Sequence, residues 1–314
     1  MKYIDFVNSL IKEEISKQKK IVLFGQNINA GSCLGGLTRG VTVNSNSMII
    51  NSTNSENTLC GFGFGLMMNG TSSVFFMKQL DFLLLGIDHL VNTYNIIRSV
   101  KPNSKSSFTI FPIVVDNSFQ GPQSSLNNFA DFCSIARVRG FTITNKIDAE
   151  RIIRSQLVSP GFRIITVSQR LFKEDILIPE KLVYVNSSCD VFQYNEGDDA
   201  TIVCFNFSLP YGMSILEEMR ENNISSSLFN VNSPILTNWE KIIEDAKKTK
   251  RLIVIDDSKS ENLNCNALLV DIDRSCNIEK KIILKRNMME PNWTYPTDDQ
   301  MVINVKQIVK DLMC

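Results

Sequence analysis

The residues best suited to chemistry gather in one stretch, 53–70, which reads TNSENTLCGFGFGLMMNG. Glu56 stands at its start, and Gly61, Gly63 and Gly65 follow at helical spacing. Glycine inside a helix costs about 1 kcal/mol per site relative to alanine, so three together call for close approach of another backbone or a ligand. Leu59, Phe62, Leu66 and Met67 fill the other positions, which predicts a helix buried nearly all round. Two readings of Glu56 stand side by side. Thr53-x-x-Glu56 fits a capping box, in which the carboxylate returns to the N-cap amide. Alternatively, Glu56 is a carboxyl in an apolar crevice, able to share a proton with a ligand nitrogen.

Other side chains offer less. His89 is the single histidine of the chain, so a Ser-His-Asp triad or a two-histidine metal site would have to run through it. Within LLLGIDHLVNTYNIIRS it reads as a structural histidine on an apolar helix. The polar loop 116–128, DNSFQGPQSSLNN, is of the kind that carries function when a scaffold holds it. Gln123, Ser124 and Asn127 can hydrogen-bond there but are not general bases near neutral pH. The glycine-rich run 31–40, GSCLGGLTRG, has neither a dinucleotide fingerprint nor a Walker A lysine. It is a surface loop, or else a ligand-lining one with Arg39. Lys247, Lys248, Lys250 and Arg251 end a helix, where cations suit the dipole.

Composition narrows the class further. The 314 residues are long enough for two domains, and 33 basic against 33 acidic side chains leave no net charge to draw nucleic acid or an anionic membrane. No apolar run approaches the length of a membrane span, and charges interrupt the N-terminal helix, so neither a membrane anchor nor a signal peptide is expected. Eight scattered cysteines without a CxxC pair point to reduced thiols and a cytoplasmic protein. No metal site within the chain is expected.

These residues need a scaffold, and the alternation of short apolar runs with helical stretches predicts α/β layers around parallel sheets. Strands are expected at 21–24, 48–50, 73–77, 108–115, 140–144 and 162–167, with helices at 4–18, 56–69, 80–99 and 148–158. After a polar stretch at 173–199, read as a linker with a hairpin, a second unit follows. Its strands are 200–207, 226–231, 251–256 and 281–285, and its helices 211–222, 237–249 and 261–272.

The order of motifs then resembles the β subunit of the 2-oxoacid dehydrogenase decarboxylase component, which corresponds to the C-terminal two-thirds of transketolase. The resemblance covers nearly the whole chain. IVLFGQNI with GGLTRGV is similar to that family's first strand and glycine loop. NSENTLCGFGFGLMMNG resembles its P-I-S-E followed by a glycine-rich helix, QLDFLLLGIDHLVNTYNIIRS the next helix, and KTKRLIVIDDS a strand of the second half. The resemblance implies a pyrimidine-binding domain at 1–175, a linker at 176–198 and a smaller transketolase C-terminal-like domain at 199–314. It implies thiamine diphosphate with Mg2+ as cofactor. It also implies an α-type partner chain carrying the diphosphate-binding half and most of the metal's ligands, in an α2β2 heterotetramer. A G-D-G motif for that half is absent here.

In this family a glutamate at the position of Glu56 contacts N1′ of the aminopyrimidine. Gln79 falls where an aromatic usually stacks on the ring, and Phe82 and Phe64 are the remaining candidates for stacking. Gly61 and Gly65 would serve helix packing at the subunit interface. Gln123 and Ser124 fall in the substrate loop, where the family's histidine is missing. The implied reaction cleaves or forms a C–C bond beside a carbonyl of a small substrate, by two-carbon transfer, carboligation or 2-oxoacid decarboxylation. The missing histidine sets against this a non-catalytic homologue that acts as a structural partner.

Overall fold

A computed structural model describes residues 1–100, 104–117, 126–286 and 301–313. The first unit opens with helix α1 (Tyr3–Ser16) and strand β1 (Val22–Gly25), followed by β2 (Met48–Asn51), α2 (Glu56–Met68) and β3 (Ser73–Met77). Then come α3 (Tyr94–Val100), β4 (Ser107–Val114), α4 (Phe129–Ala136), β5 (Gly140–Thr142), α5 (Lys146–Gln156) and β6 (Gly161–Ser168). The six strands form one sheet in the order β2-β1-β3-β4-β6-β5, and every pair in it is parallel. Strands such as SVFFM and SFTIFPIV are buried along their whole length, as expected when helices cover both faces.

The second unit contains β7 (Tyr184–Val185), β8 (Val191–Asn195), β9 (Ala200–Phe205), α6 (Leu209–Glu221), β10 (Ser226–Val231) and α7 (Glu240–Thr249). It ends with β11 (Arg251–Asp256), α8 (Asn266–Ser275), β12 (Lys280–Lys285) and α9 (Val305–Met313). Its sheet runs β12-β11-β9-β10-β8-β7. The first four strands are parallel, while β8 and β7 pair antiparallel at the edge. The hairpin expected inside a linker is therefore a built part of the second sheet. Among the described residues no helix is long and apolar enough to cross a membrane.

Two expectations about helices change. Residues 80–99 do not form one helix. A 3₁₀ segment, Leu80–Gly86, leads through a π turn, His89–Thr93, into α3. The cause is contact with α2: a Cβ at Gly86 would run into the Cys60 sulfur and lie 3.5 Å from the Glu56 carbonyl. The segment therefore coils tightly across the start of α2, and the Asn57 amide donates to the Leu85 carbonyl at 3.4 Å.

Helix α2 is not buried all round either. Phe64 and Met67 face inward, whereas Thr58, Phe62, Gly65 and Met68 form an exposed stripe with Phe62 at 40% exposure. The three glycines divide accordingly. Gly65 opens to free space, a Cβ at Gly61 would meet the His89 imidazole at 3.0 Å, and one at Gly63 would overlap the Phe108 ring. We expect Gly63→Ala to lower stability by about 1–3 kcal/mol through overpacking, and Gly65→Ala to raise it by up to about 1 kcal/mol. Chemical denaturation of the two variants checks the contrast; equal effects would contradict it.

Candidate functional site

In a parallel sheet, ligands gather beyond the carboxyl ends of the strands, where successive connections leave in opposite directions. Here that point lies between β1 and β3, since the chain passes from β1 to β2 on one side and returns to β3 on the other. Glycine is required at the end of β1: Gly25 has φ +146°, and a Cβ there would collide with the Phe76 carbonyl of β3. Around this crevice stand the residue after β1 (Gln26), the start of α2 and the residues that follow β3.

Glu56 is the first residue of α2 and is only 8% exposed. The capping box does not form. Ser55 is the N-cap, its hydroxyl donates to the Thr58 hydroxyl at 2.8 Å, and Thr53 is exposed. Among the described residues the Glu56 carboxyl makes no hydrogen bond and no ion pair. A turn further on, burial pushes the Cys60 thiol up to about 12, with the Glu56 charge adding to the effect. Cys60 is thus a packing residue and not a nucleophile.

The other sequence candidates separate. Gln79 is buried and extended, and directly precedes the 3₁₀ segment, which carries half-buried Phe82 across the start of α2. Phe64 is elsewhere, in the core between helix and sheet. Its ring centroid lies 4.9 Å from Phe108, 4.9 Å from Phe162 and 5.7 Å from Tyr94. The segment that follows Gln79 and carries Phe82 meets the start of α2 at Leu85 and Gly86, and Phe64 is an aromatic core residue. Gln123 and Ser124 lie outside the described residues. His89 is half-buried, with Nδ1 2.9 Å from the Thr93 hydroxyl, in keeping with a structural role. Arg39 is exposed on its loop. The basic run at the end of α7 meets acidic side chains, Lys248 with Asp198 at 3.1 Å and Lys250 with Glu279 at 3.5 Å.

No family model matches the chain. It is 20% identical over 295 residues to the 2-oxoisovalerate dehydrogenase subunit β of Bacillus subtilis, covering 91% of this chain and 88% of that one. It is 22% identical over 282 residues to a mitochondrial pyruvate dehydrogenase E1 component subunit β-1 of Arabidopsis thaliana, over 85% and 75% of the two chains. Among solved structures, a split-gene transketolase described as an inactive β4 tetramer superposes with a TM-score of 0.63 at 14% identity, covering 98% of this chain and 97% of that one. The chain is a homologue of the 2-oxoacid dehydrogenase β subunits.

In this β-subunit homologue the crevice is braced by residues that motif reading passed over. The Asp81 carboxylate, buried beside Phe82, accepts the Leu126 backbone N–H at 2.9 Å. Asn127 then ties the same chain segment to the second sheet. Its amide donates to the Asp257 carbonyl at 3.2 Å, its Oδ1 accepts from Asn206 at 2.7 Å, and its carbonyl accepts the Lys259 N–H at 2.7 Å. Asp257 also accepts from Arg170 at 2.7 Å and from Asn206 at 2.8 Å. Burial disfavours the Arg170 cation, but Asp257 and Asp116 outweigh it and hold its pKa above the usual value. A signal for Asp257 was present in the sequence: RLIVIDD ends a continuous apolar strand on paired acids, which must find partners inside the protein.

A second polar seam joins the units at Asp148. Its carboxylate accepts the Thr144 and Asn145 N–H groups at 3.1 and 3.0 Å, the Asn145 amide at 2.9 Å and the Asn232 amide at 2.7 Å. Burial pushes this carboxyl up to about 6, against the pull of the Thr144, Asn145 and Asn232 donors. Asn145 and Asp148 also form the capping box of α5.

Proposed function

We propose that the chain is the β-type, pyrimidine-binding half of a two-chain thiamine-diphosphate enzyme. The observation that carries this reading is Glu56: a largely buried carboxyl without a hydrogen-bond or ion-pair partner among the described residues, at the start of a helix, beside the switch point of a parallel sheet. A carboxyl so placed is suited to a ring nitrogen that shares its proton, so the residues present fit the pyrimidine end of the cofactor. When bound, the cofactor supplies the carbon nucleophile that attacks a carbonyl. The chain's own part is narrower. Glu56 holds and exchanges the proton at the pyrimidine nitrogen, Phe82 and Gln79 border the ring, and the 3₁₀ segment shields the start of α2 from water. Asp81 fixes the downstream end of the loop bearing Gln123 and Ser124.

The diphosphate end is assigned to an α-type partner. This proposal gives Mg2+ and the diphosphate to that chain because the G-D-G motif of the diphosphate-binding half does not occur in this sequence. The exposed stripe of α2, with Gly65 open and Phe62 beside it, is a surface on which a partner helix can approach closely, in keeping with an α2β2 assembly. The proposal keeps a pyrimidine-binding domain over 1–175 and a transketolase C-terminal-like domain that takes in, besides 199–314, the β7–β8 hairpin of the expected 176–198 linker, which leaves 176–183 as the connection. It places the enzyme in the cytoplasm, with two-carbon transfer, carboligation or 2-oxoacid decarboxylation as its reaction.

Gln123 in place of the family's histidine favours one alternative, a non-catalytic structural partner. Calorimetric titration of thiamine diphosphate and Mg2+ into the chain assembled with its α-type partner separates the two. Saturable binding at micromolar cofactor is expected, and absence of binding at millimolar cofactor would leave the structural role.

A further inference from the structure

The second sheet has a switch point of its own. From β9 the chain passes to β10 on one side, and from β10 it returns across β9 to β11 on the other. In an open α/β sheet the crevice beyond the carboxyl ends of such a pair is where a small molecule sits. Here side chains of the first unit fill it. Arg170, which follows β6, donates to Asp257 Oδ2 at 2.7 Å. Asn127, which precedes α4, donates to the Asp257 carbonyl at 3.2 Å and accepts from the Asn206 amide at 2.7 Å. Asn206 and Asp257 directly follow β9 and β11. Asn127, Asn206 and Asp257 are all buried. The second sheet thus holds the first unit at the position where a sheet of this kind holds a ligand.

From Asn127 a short run of contacts leads to Glu56. The neighbouring Leu126 N–H donates to the Asp81 carboxylate at 2.9 Å. Asp81 is buried in the 3₁₀ segment Leu80–Gly86, which ends against the start of α2. There the Leu85 carbonyl accepts the Asn57 amide at 3.4 Å, and a Cβ at Gly86 would lie 3.5 Å from the Glu56 carbonyl. The grip on Asn127 is complete, since its amide, its Oδ1 and its backbone carbonyl all bond to the second unit. Energetic coupling between distant groups travels through contiguous hydrogen bonds and packed elements of this kind. We infer, on the reading of Glu56 proposed above, that Asn127 and Asn206 are positioning residues. By gripping Asn127 the second sheet fixes the 3₁₀ segment against the start of α2, and so sets the rate at which the Glu56 carboxyl exchanges its proton.

Two readouts on Asn127→Ala and Asn206→Ala test this. In the full chain without cofactor, amide hydrogen exchange within Leu80–Gly86 should be faster in both variants than in the unmodified protein. In the assembly with the α-type partner, deuterium exchange at C2 of bound thiamine diphosphate should slow about tenfold or more, as a small displacement of a reacting group can cost that much. Thr201→Val is the control for lost stability alone. It removes the buried hydroxyl that donates to Asp245 at 2.6 Å, inside the second unit and away from the junction, and should leave both readouts unchanged. Equal slowing in Thr201→Val overturns the inference, as does slower C2 exchange without faster amide exchange in Leu80–Gly86. If Glu56→Gln slows C2 exchange and either asparagine variant keeps the unmodified rate, the positioning role falls and the role of Glu56 stands. If Glu56→Gln itself exchanges at the unmodified rate, both fall.

Discussion

Glu56→Gln, in the chain assembled with its α-type partner, is expected to slow deuterium exchange at C2 of bound thiamine diphosphate by about 100-fold or more, the usual contribution of a positioned proton-transfer group. The amide keeps the size of the side chain and can still touch a ring nitrogen, but it cannot take up and return a proton. Cofactor affinity should change much less than the exchange rate. Folding should be preserved, because the Glu56 carboxyl forms no hydrogen bond or ion pair among the described residues whose loss would unsettle α2. Exchange followed by proton NMR needs no knowledge of the substrate, so it isolates the role of this carboxyl from everything downstream. A variant that exchanges at the unmodified rate would remove Glu56 from the mechanism.

Asp148→Ala should destabilise the chain by about 3 kcal/mol, since several buried neutral donors lose their acceptor at about 1–3 kcal/mol for each one left unsatisfied. The loss is large because several donors converge on this carboxylate: the Thr144 and Asn145 N–H groups and the side-chain amides of Asn145 and Asn232. Without it those donors are buried and unpaired, and α5 loses its capping box. The pH dependence has a definite sign. Burial pushes the folded carboxyl up to about 6, from an ordinary aspartate value near 4, so between these limits the folded state holds more protons than the unfolded one. The contribution of Asp148 to stability therefore falls as pH rises from about 4 to 6, by up to about 3 kcal/mol, and is constant above that window. Urea denaturation of both proteins across pH 4–7 should show this slope in the unmodified chain and its absence in Asp148→Ala. Parallel profiles would contradict the assignment.

The parts of the fold written in long apolar periods were legible. The runs IVLF, SVFFM, FTIFPIVV, ATIVCFNF and RLIVID are strands close to where their composition places them. Packing decided what the pattern could not. Residues 80–99 carry a continuous helical period, yet contact with Cys60 and the start of α2 compresses their first turns into a 3₁₀ segment. Glu56 was legible as a candidate, but whether it capped its helix depended on Ser55 taking the N-cap position, a choice between neighbouring polar residues that spacing does not resolve. Phe64 shows the converse. As an aromatic on the same helix it was a reasonable stacking group, and only the three-dimensional placement of Tyr94, Phe108 and Phe162 shows that it belongs to the core. Asp148 was not among the candidates, although it forms a capping box with Asn145 three residues before it. Its second partner, Asn232, lies 84 residues away and leaves no local trace.

The two polar seams bear on whether the chain can be divided. By topology it is two sheets, and a cut in the connection at 176–183 would sever no strand. By chemistry it is hard to split. Each half would expose one side of a matched set, Asp148 and Asn127 on one fragment, Asn232, Asn206 and Asp257 on the other. These groups are spaced to satisfy each other, so each fragment would present polar groups clustered on a surface shaped for a missing counterpart. Fragments expressed apart should be poorly behaved and should recombine when mixed, so that the second sheet acts as a built-in template for the one that carries Glu56.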